Sequence, residues 1–198
     1  MINFSLKQLE IIKATGMILT TSGASGLTIK KLAQEMRFTE GAVYKHFASK
    51  EDIIIGLLEY LTESLDQHYT EAVSANNKPD ANLLSLLQNE ISFFNKNPHF
   101  VVAVFSDGLL EESKRINKTI LNIIDVKTRH LLAIISEGQK TGVFTNLITK
   151  DRIIQIIMGT TRMQMFRWRV ENFKSDLKQN GMNTIKSLLI LIKKHNDE

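Results

Sequence analysis

Residues 28–47, TIKKLAQEMRFTEGAVYKHF, contain two short helical patterns joined by a tight connection, and they decide the fold of the first part of the chain. The apolar residues of the first pattern recur at the spacing of one helix face: Ile29, Leu32, Ala33 and Met36. Thr28 and Thr39 each stand just before one pattern, where a hydroxyl group can accept a hydrogen bond from a free backbone N–H. The stretch therefore predicts two capped helices separated by a turn.

The second of these helices is expected to have an apolar side and a side suited to DNA. Val43 and Phe47 are expected to face inward, which leaves an outward surface made of Ala42, Tyr44, Lys45 and His46. Small residues at a helix start let the backbone approach DNA closely, and an exposed aromatic residue and a cation can then reach phosphates or base edges. The pattern predicts a helix-turn-helix whose second helix reads a DNA groove.

Residues 23–53 resemble the amino-terminal part of the tetracycline-repressor (TetR) family of bacterial transcription regulators. The shared positions, all at fixed spacing, are Gly23, Leu27, Thr28, Leu32, Ala33, Gly41, Tyr44, His46, Phe47, Lys50, Glu51 and Ile53. The family often has a glycine where this chain has Arg37, so the turn between the two helices is expected to bend differently. The resemblance covers only the first third of the chain.

The resemblance implies which residues meet DNA. The expected phosphate contacts are Thr28, Tyr44 and Lys50. The residues expected to face the bases or to lie beside them are Thr39, Glu40, Gly41, Ala42, Lys45 and His46. Glu40 can accept a hydrogen bond from a cytosine amino group, although packing at the start of the helix explains it equally well.

The positive charge of the chain is concentrated in its first fifty residues. Residues 1–50 contain seven lysine or arginine residues and three acidic residues, a net charge of +4, which equals the formal net charge of all 198 residues. Residues 51–198 are therefore neutral in sum. A basic excess confined to the helix-turn-helix is expected of a module that binds a polyanion.

The whole chain reads as an all-α protein of two domains. Residues 1–50 are expected to form a helix-turn-helix DNA-binding domain, and residues 51–198 a helical effector-binding and dimerisation domain. Helices are predicted at about 5–21, 49–73, 81–96, 98–110, 113–142, 149–173 and 183–194, besides the two described above. The chain has no cysteine, no signal-peptide pattern and no membrane-length apolar run, which fits a cytoplasmic protein.

The predicted helix at 149–173 has two apolar faces. One carries Ile153, Ile154, Ile157, Met158, Thr161, Met165 and Trp168, and the other Ile156, Gly159, Met163, Phe166 and Val170. We expect one face of such a helix to pack against its own domain and the other against a second surface. The simplest second surface is the same helix in another subunit. The TetR resemblance implies dimerisation through the last two helices. The expected interface is Ile156, Met163, Phe166, Val170, Ile185, Leu188, Leu189 and Ile192.

An effector pocket is expected among the carboxy-terminal helices, mainly because the family usually binds a small molecule there. The candidate lining residues are Phe93, Phe94, Phe105, Met158, Met165 and Trp168, which suit an apolar or amphipathic ligand. The same residue types at helical spacing are more often core residues, so the alternative of a filled core stays open.

Catalytic and metal-binding functions lack support in the sequence. The five histidines form no HxxxH or HExxH pair, and no glycine-rich phosphate loop or GxSxG motif occurs. Asp107, Glu111 and Glu112 are better explained as a solvated helix end than as a catalytic cluster. We expect neither enzymatic activity nor a cofactor.

The sequence thus predicts a ligand-responsive regulator, most simply a repressor that binds a palindromic operator as a homodimer. Three alternatives remain at this point: an activator, a regulator that answers to a protein partner, and a small-molecule-binding protein with a vestigial DNA module.

Overall fold

A computed structural model describes residues 4–105 and 113–194 of the chain. These residues form nine helices: α1 Leu6–Ser22, α2 Ile29–Met36, α3 Glu40–Tyr44, α4 Lys50–Ala72, α5 Pro79–Lys96, α6 Pro98–Val104, α7 Lys114–Lys140, α8 Lys150–Val170 and α9 Leu177–Ile192. The all-α prediction is confirmed. The predicted end of the sixth helix near residue 110 lies outside the described residues, as do Asp107, Glu111 and Glu112.

Side-chain caps fix most of the early helix boundaries. Ser5 and Gln8 form a reciprocal capping box at the start of α1. The Thr28 hydroxyl accepts from the Lys31 N–H at 3.1 Å, and the Thr39 hydroxyl accepts from the Ala42 N–H at 3.1 Å. Both threonine caps were predicted from the sequence, and both are confirmed.

The turn between α2 and α3 corrects the expectation for Arg37. This residue adopts the left-handed conformation itself, with φ 54° and ψ 40°. The N–H of Phe38 donates to the Ala33 carbonyl at 2.8 Å, which closes the turn as a glycine-terminated helix closes it. Arg37 therefore reproduces the turn that a glycine would give, at the cost of an unfavourable backbone conformation.

The chain forms two compact units whose limits differ from the predicted division at residue 50. One unit contains residues 1–64 and 97–124, and the other contains residues 65–96 and 125–198. Helices α4 and α7 each contribute residues to both units. In the first unit α1 packs against α2 and α6, and α2 packs against α3. In the second unit α9 packs against α5 and α8.

The last helix begins earlier than predicted. It starts at Leu177 rather than near Asn183, because the Asp176 side chain caps it by accepting from the Gln179 N–H at 2.9 Å. A β-carbon at Gly181 would overlap Cδ1 of Ile91. Glycine at this position therefore allows α9 to approach α5 closely.

Candidate nucleic-acid interface

The structure exposes part of the surface that the sequence predicted for the second helix: Tyr44 and Lys45 are exposed, whereas Ala42 and His46 are half-buried. Val43 in α3 is completely buried, and Phe47, three residues beyond the end of the helix at Tyr44, is nearly so; both anchor this segment to its own unit. Tyr44 and Lys45 are exposed, as are Thr39, Glu40 and Gly41. The sequence-based inward and outward assignments at Val43, Phe47, Tyr44 and Lys45 are thus confirmed, while their contacts with DNA stay predictions.

Gly41 occupies a position at which the fold leaves room for a side chain. Among the residues that the structure describes, a β-carbon built there meets only the Thr39 hydroxyl oxygen, at 3.9 Å, which is an ordinary van der Waals distance. The backbone at Gly41 does not require glycine either, because its φ lies outside the left-handed region. Packing within the chain therefore gives no reason for a glycine at this point of an exposed helix.

The remaining DNA candidates lie around α3. Thr28 is exposed while its hydroxyl caps α2. Ala42 and His46 are half-buried, and the carbonyl of His46 accepts a hydrogen bond from the Gln8 side chain at 3.3 Å. Lys50 is half-buried and is the first residue of α4. All these residues belong to the same compact unit.

Helix α8 separates its two apolar faces as predicted. The first face is buried within the subunit, including Ile153, Ile157 and Trp168. The second face is open to solvent, with exposed fractions of 44% for Ile156, 63% for Met163, 45% for Phe166 and 64% for Val170. Large apolar side chains exposed along one helix face are typical of a surface for contact with another molecule, and the use of this face in a dimer stays a prediction.

The residues proposed for the dimer interface on α9 require correction. Ile185, Leu188 and Ile192 are 2%, 4% and 1% exposed, because α9 turns this side toward α5 and α8. They are therefore core residues of the subunit, and Leu189 is half-buried. The large apolar side chains that α9 exposes are Ile190 and Leu191.

The six effector candidates are distributed over both compact units. Phe105 belongs to the unit that contains α3, whereas the other five belong to the second unit. Phe93 and Phe94 are buried with their rings in edge-to-face contact at 5.5 Å. Met165 lines a narrow apolar slot with Ile91 and Leu188, and Met158 is half-buried.

Trp168 lies at the base of a polar cleft rather than in an apolar cavity. The cleft has a volume of about 250 Å³ and lies between α8 and α9. Its other lining residues are mostly polar: Gln164, Arg167, Glu171, Ser175, Asn180, Asn183 and Thr184, together with Leu177. The indole N–H of Trp168 donates to the Ser175 carbonyl at 3.1 Å, so the ring is fixed in place.

A buried charged network in the second unit was not predicted from the sequence. We call its members the buried quartet: Tyr69, Glu90, Lys127 and Thr161, which come from four helices. The Lys127 ammonium group contacts both Glu90 carboxylate oxygens at 2.8 Å and the Thr161 hydroxyl at 2.6 Å. The Tyr69 hydroxyl donates to Glu90 at 3.1 Å, and burial beside this carboxylate raises the pKa of Tyr69.

All three N–H donors of Lys127 are used within the buried quartet. The three N–H donors of Lys127 face three acceptors, and the Thr161 hydroxyl also contacts backbone carbonyls of its own helix. A sequence signal for it exists, because Glu90 and Lys127 occur at positions where the apolar stripes of α5 and α7 require a core residue. A charge in register with such a stripe indicates a buried pair.

The described residues contain no helix long and apolar enough to span a membrane, and no group of three or more metal-ligand side chains. Among the described residues, the candidate binding surface for which a ligand can be named is the exposed side of α3, and that ligand is DNA. Helix α2, the left-handed turn at Arg37 and helix α3 form a helix-turn-helix.

Comparison with known families agrees with this geometry. Residues 11–57 match the family of bacterial regulatory proteins named tetR, and residues 58–192 match the family of YsiA-like proteins in their carboxy-terminal region. The chain belongs to the TetR family. Together the two matches account for both the helix-turn-helix and the helical remainder.

Individual relatives of this TetR-family chain are more distant. It is 30% identical over 128 residues to the nucleoid occlusion factor SlmA of Shewanella pealeana, a match that spans 65% of each chain. The fatty acid degradation regulator FadR from Bacillus halodurans has the same fold, with a TM-score of 0.84 and 18% identity over 95% of this chain and 97% of that one. FadR from Bacillus subtilis, determined with stearoyl-CoA, gives a TM-score of 0.79 at 18% identity over 91% and 97% of the two chains.

Proposed function

We propose that this TetR-family chain is a cytoplasmic repressor that binds a palindromic DNA operator as a homodimer and is released by a small molecule. The observation that carries the proposal is the exposed surface of α3, where Gly41, Tyr44 and Lys45 are left open on a helix anchored by Val43 and Phe47. The positive excess of residues 1–50 supports the same reading, because a basic module attracts a polyanion.

Binding to DNA from upstream of its own gene tests the proposal directly. Replacing Lys50 with alanine removes an expected phosphate contact, so all DNA sequences should bind more weakly and the salt slope should fall by about 1 per half-site. Replacing Lys45 with alanine removes an expected base contact and should change the sequence preference instead. Fluorescence anisotropy at several salt concentrations measures both effects, and an unchanged affinity and slope in Lys50→Ala would contradict this docking.

The proposed dimer surface consists of Ile156, Met163, Phe166 and Val170 on α8, with Ile190 and Leu191 on α9. These side chains are exposed in the subunit, so a second copy that covers them would remove apolar surface from water. A two-fold dimer would then present two copies of α3 to the two halves of a palindrome.

A pair of aspartate substitutions tests the dimer. Ile156→Asp combined with Met163→Asp would bury unpaired charges in the proposed interface, so light scattering should detect monomers and operator binding should be lost. Leu147→Asp is a matched control, because Leu147 is 79% exposed and lies outside the proposed surface. A dimer that persists in the double variant would place the interface elsewhere.

The proposed effector is a small apolar or amphipathic molecule. The narrow apolar slot lined by Met165, Ile91 and Leu188 has a volume of only about 10 Å³, so an apolar portion would enter it only if these side chains moved apart. The structural neighbour from Bacillus subtilis was determined with stearoyl-CoA, which makes a long-chain acyl thioester the first compound to try. The effector would act by changing the distance between the two copies of α3, which must be about 34–36 Å to match one turn of DNA.

Thermodynamic reciprocity gives a test that needs no structure of the complex. If the effector weakens operator binding by some factor, operator DNA must weaken effector binding by the same factor, and about 5- to 150-fold is ordinary. Calorimetric titration of the acyl thioester with and without operator measures that factor. Equal affinities in both titrations would exclude induction by this compound.

A second candidate function is regulation through a protein partner. The similarity to a nucleoid occlusion factor fits this candidate only weakly, and that match spans 65% of the relative. Operator binding that responds to no small molecule, but changes when a cell extract lacking small molecules is added, would favour this second candidate.

A further inference from the structure

The first turn of α4 places two carboxylates beside an expected phosphate contact. Lys50 begins the helix, and Glu51 and Asp52 follow it directly. Negative side chains suit a helix N-terminus, but they also repel a DNA phosphate that approaches Lys50. An operator complex of the proposed kind therefore needs something that neutralises these carboxylates or holds them aside.

Arg115 in the first turn of α7 contacts both carboxylates. Its Nη1 lies 3.1 Å from a Glu51 oxygen, and its Nη2 lies 2.8 Å from an Asp52 oxygen. The Ser113 hydroxyl, just before α7, also donates to Glu51. One guanidinium thus joins two neighbouring residues of α4 to the start of a helix more than sixty residues away, within the same compact unit.

The contacts of Arg115 with Glu51 and Asp52 should contribute little to the stability of the fold, but they restrict the positions of the two carboxylates. The Arg115 side chain is 60% exposed, and an exposed ion pair contributes little to the free energy of folding. A planar guanidinium that bridges two carboxylates nevertheless restricts geometry more than a lysine does. The Ser49 hydroxyl donates to Asp52 at 2.7 Å, and this bond together with Arg115 lowers the pKa of Asp52, so its carboxylate stays charged.

We propose that Arg115 is a positioning residue for operator binding, which bridges Glu51 and Asp52 and thereby holds Lys50 where it can reach a phosphate. The proposal rests on the DNA-binding function proposed above. It adds a residue that lies outside the helix-turn-helix and would act through Lys50 rather than through a DNA contact of its own.

A double-mutant cycle between Arg115 and Lys50 tests the positioning role. Arg115→Met should lower the salt slope of operator binding by about 0.9 per half-site, as loss of one phosphate contact does. Lys50→Ala should lower it by a similar amount. The combined variant should bind no more weakly than Arg115→Met alone, because in Arg115→Met the contact between Lys50 and the phosphate is already lost. Additive losses would overturn the proposal.

A second variant distinguishes the positioning of Lys50 from the direct effect of the nearby negative charges on DNA binding. Glu51→Gln together with Asp52→Asn removes two negative charges, so electrostatics alone predicts tighter DNA binding. Loss of the bridge predicts the opposite, a lower salt slope and weaker binding. Tighter binding in this variant would overturn the proposal, and the variant keeps Arg115 in case Arg115→Met fails to fold.

Arg129→Met is the matched control. Arg129 lies on the same helix, is 65% exposed and pairs with the Asp66 carboxylate at 2.7 Å, in the second compact unit. It loses the same charge as Arg115→Met, so a fall in salt slope of the same size would show a general charge effect and overturn the proposal. If the wild-type protein binds no DNA at all, the proposed function fails, whereas normal wild-type binding with an additive cycle rejects only the role of Arg115.

Discussion

Substitution of Gly41 by alanine should separate the stability of the fold from its affinity for DNA. The fold leaves open space for a β-carbon at this position, with its nearest contact at 3.9 Å. The expected reason for glycine is therefore the approach of the α3 backbone to the duplex. Alanine should therefore not destabilise the free protein, but it should weaken the binding of the protein to DNA.

Gly41→Ala should raise the stability of the fold and lower the affinity for the operator. Alanine in place of glycine within a helix stabilises the folded state by about 0.5–1 kcal/mol. For a chain of this size that gain corresponds to a rise in melting temperature of about 1–4 °C. A methyl group forced into a tightly packed contact costs about 1–3 kcal/mol, which is about 5- to 150-fold in affinity for each half-site.

Two measurements on the same sample decide the matter. Thermal unfolding followed by circular dichroism gives the stability of Gly41→Ala, and fluorescence anisotropy gives its affinity for the operator. A higher melting temperature together with weaker operator binding is the expected result. Operator affinity equal to that of the wild type would refute the idea that the duplex contacts this part of the backbone.

Gly159→Ala is the matched control for helix propensity. Gly159 lies in α8, is exposed and has no atom within 4 Å of a β-carbon built on it. It should show a similar gain in melting temperature. Only its melting temperature serves as the control, because Gly159 lies on the same face of α8 as Ile156 and Met163, where a second copy is proposed to pack.

Three further predictions concern stability. Arg37→Gly should raise the free energy of unfolding by about 0.5–1 kcal/mol in urea titrations, because it relieves a left-handed backbone, and an unchanged midpoint would contradict this reading. Lys127→Met should lower that free energy by about 3–5 kcal/mol by leaving the Glu90 charge buried alone, whereas Lys127→Met with Glu90→Gln should recover most of it; a double variant as unstable as the single one would count against the ion pair as the cause. Lys193 beside Asp80 lowers the pKa of that carboxyl below its ordinary 3.8, so the interaction stabilises above that pH and is lost as the pH falls below it. Acid titration should therefore show a smaller loss of stability in Asp80→Asn than in the wild type.

The parts of the fold that the sequence predicts well depend on short-range chemistry. The caps at Thr28 and Thr39 and the inward side of α3 each follow from residues within one or two helical turns. Such features need no knowledge of the rest of the molecule. They include the surface proposed to bind DNA, which explains why the family can be recognised from the first third of the chain.

The features that were missed depend on distant partners. The start of α9 is obscured by a polar run and by Gly181, whose role becomes clear only from its close approach to Ile91. Ile185, Leu188 and Ile192 were assigned to the interface for a related reason: the apolar stripe of α9 that contains them faces the core of its own subunit. Periodicity identifies an apolar face but does not say which neighbour covers it.

The buried quartet also restricts how this sequence can change during evolution. Loss of either Glu90 or Lys127 alone leaves an uncompensated charge in the interior, so single substitutions at these two sites should be selected against. Homologues are then expected to keep both residues or to have replaced both, although the two lie 37 positions apart in the chain. A lineage that acquires a new effector would have to do so by substitutions that leave this pair intact, or by replacing the pair as a unit.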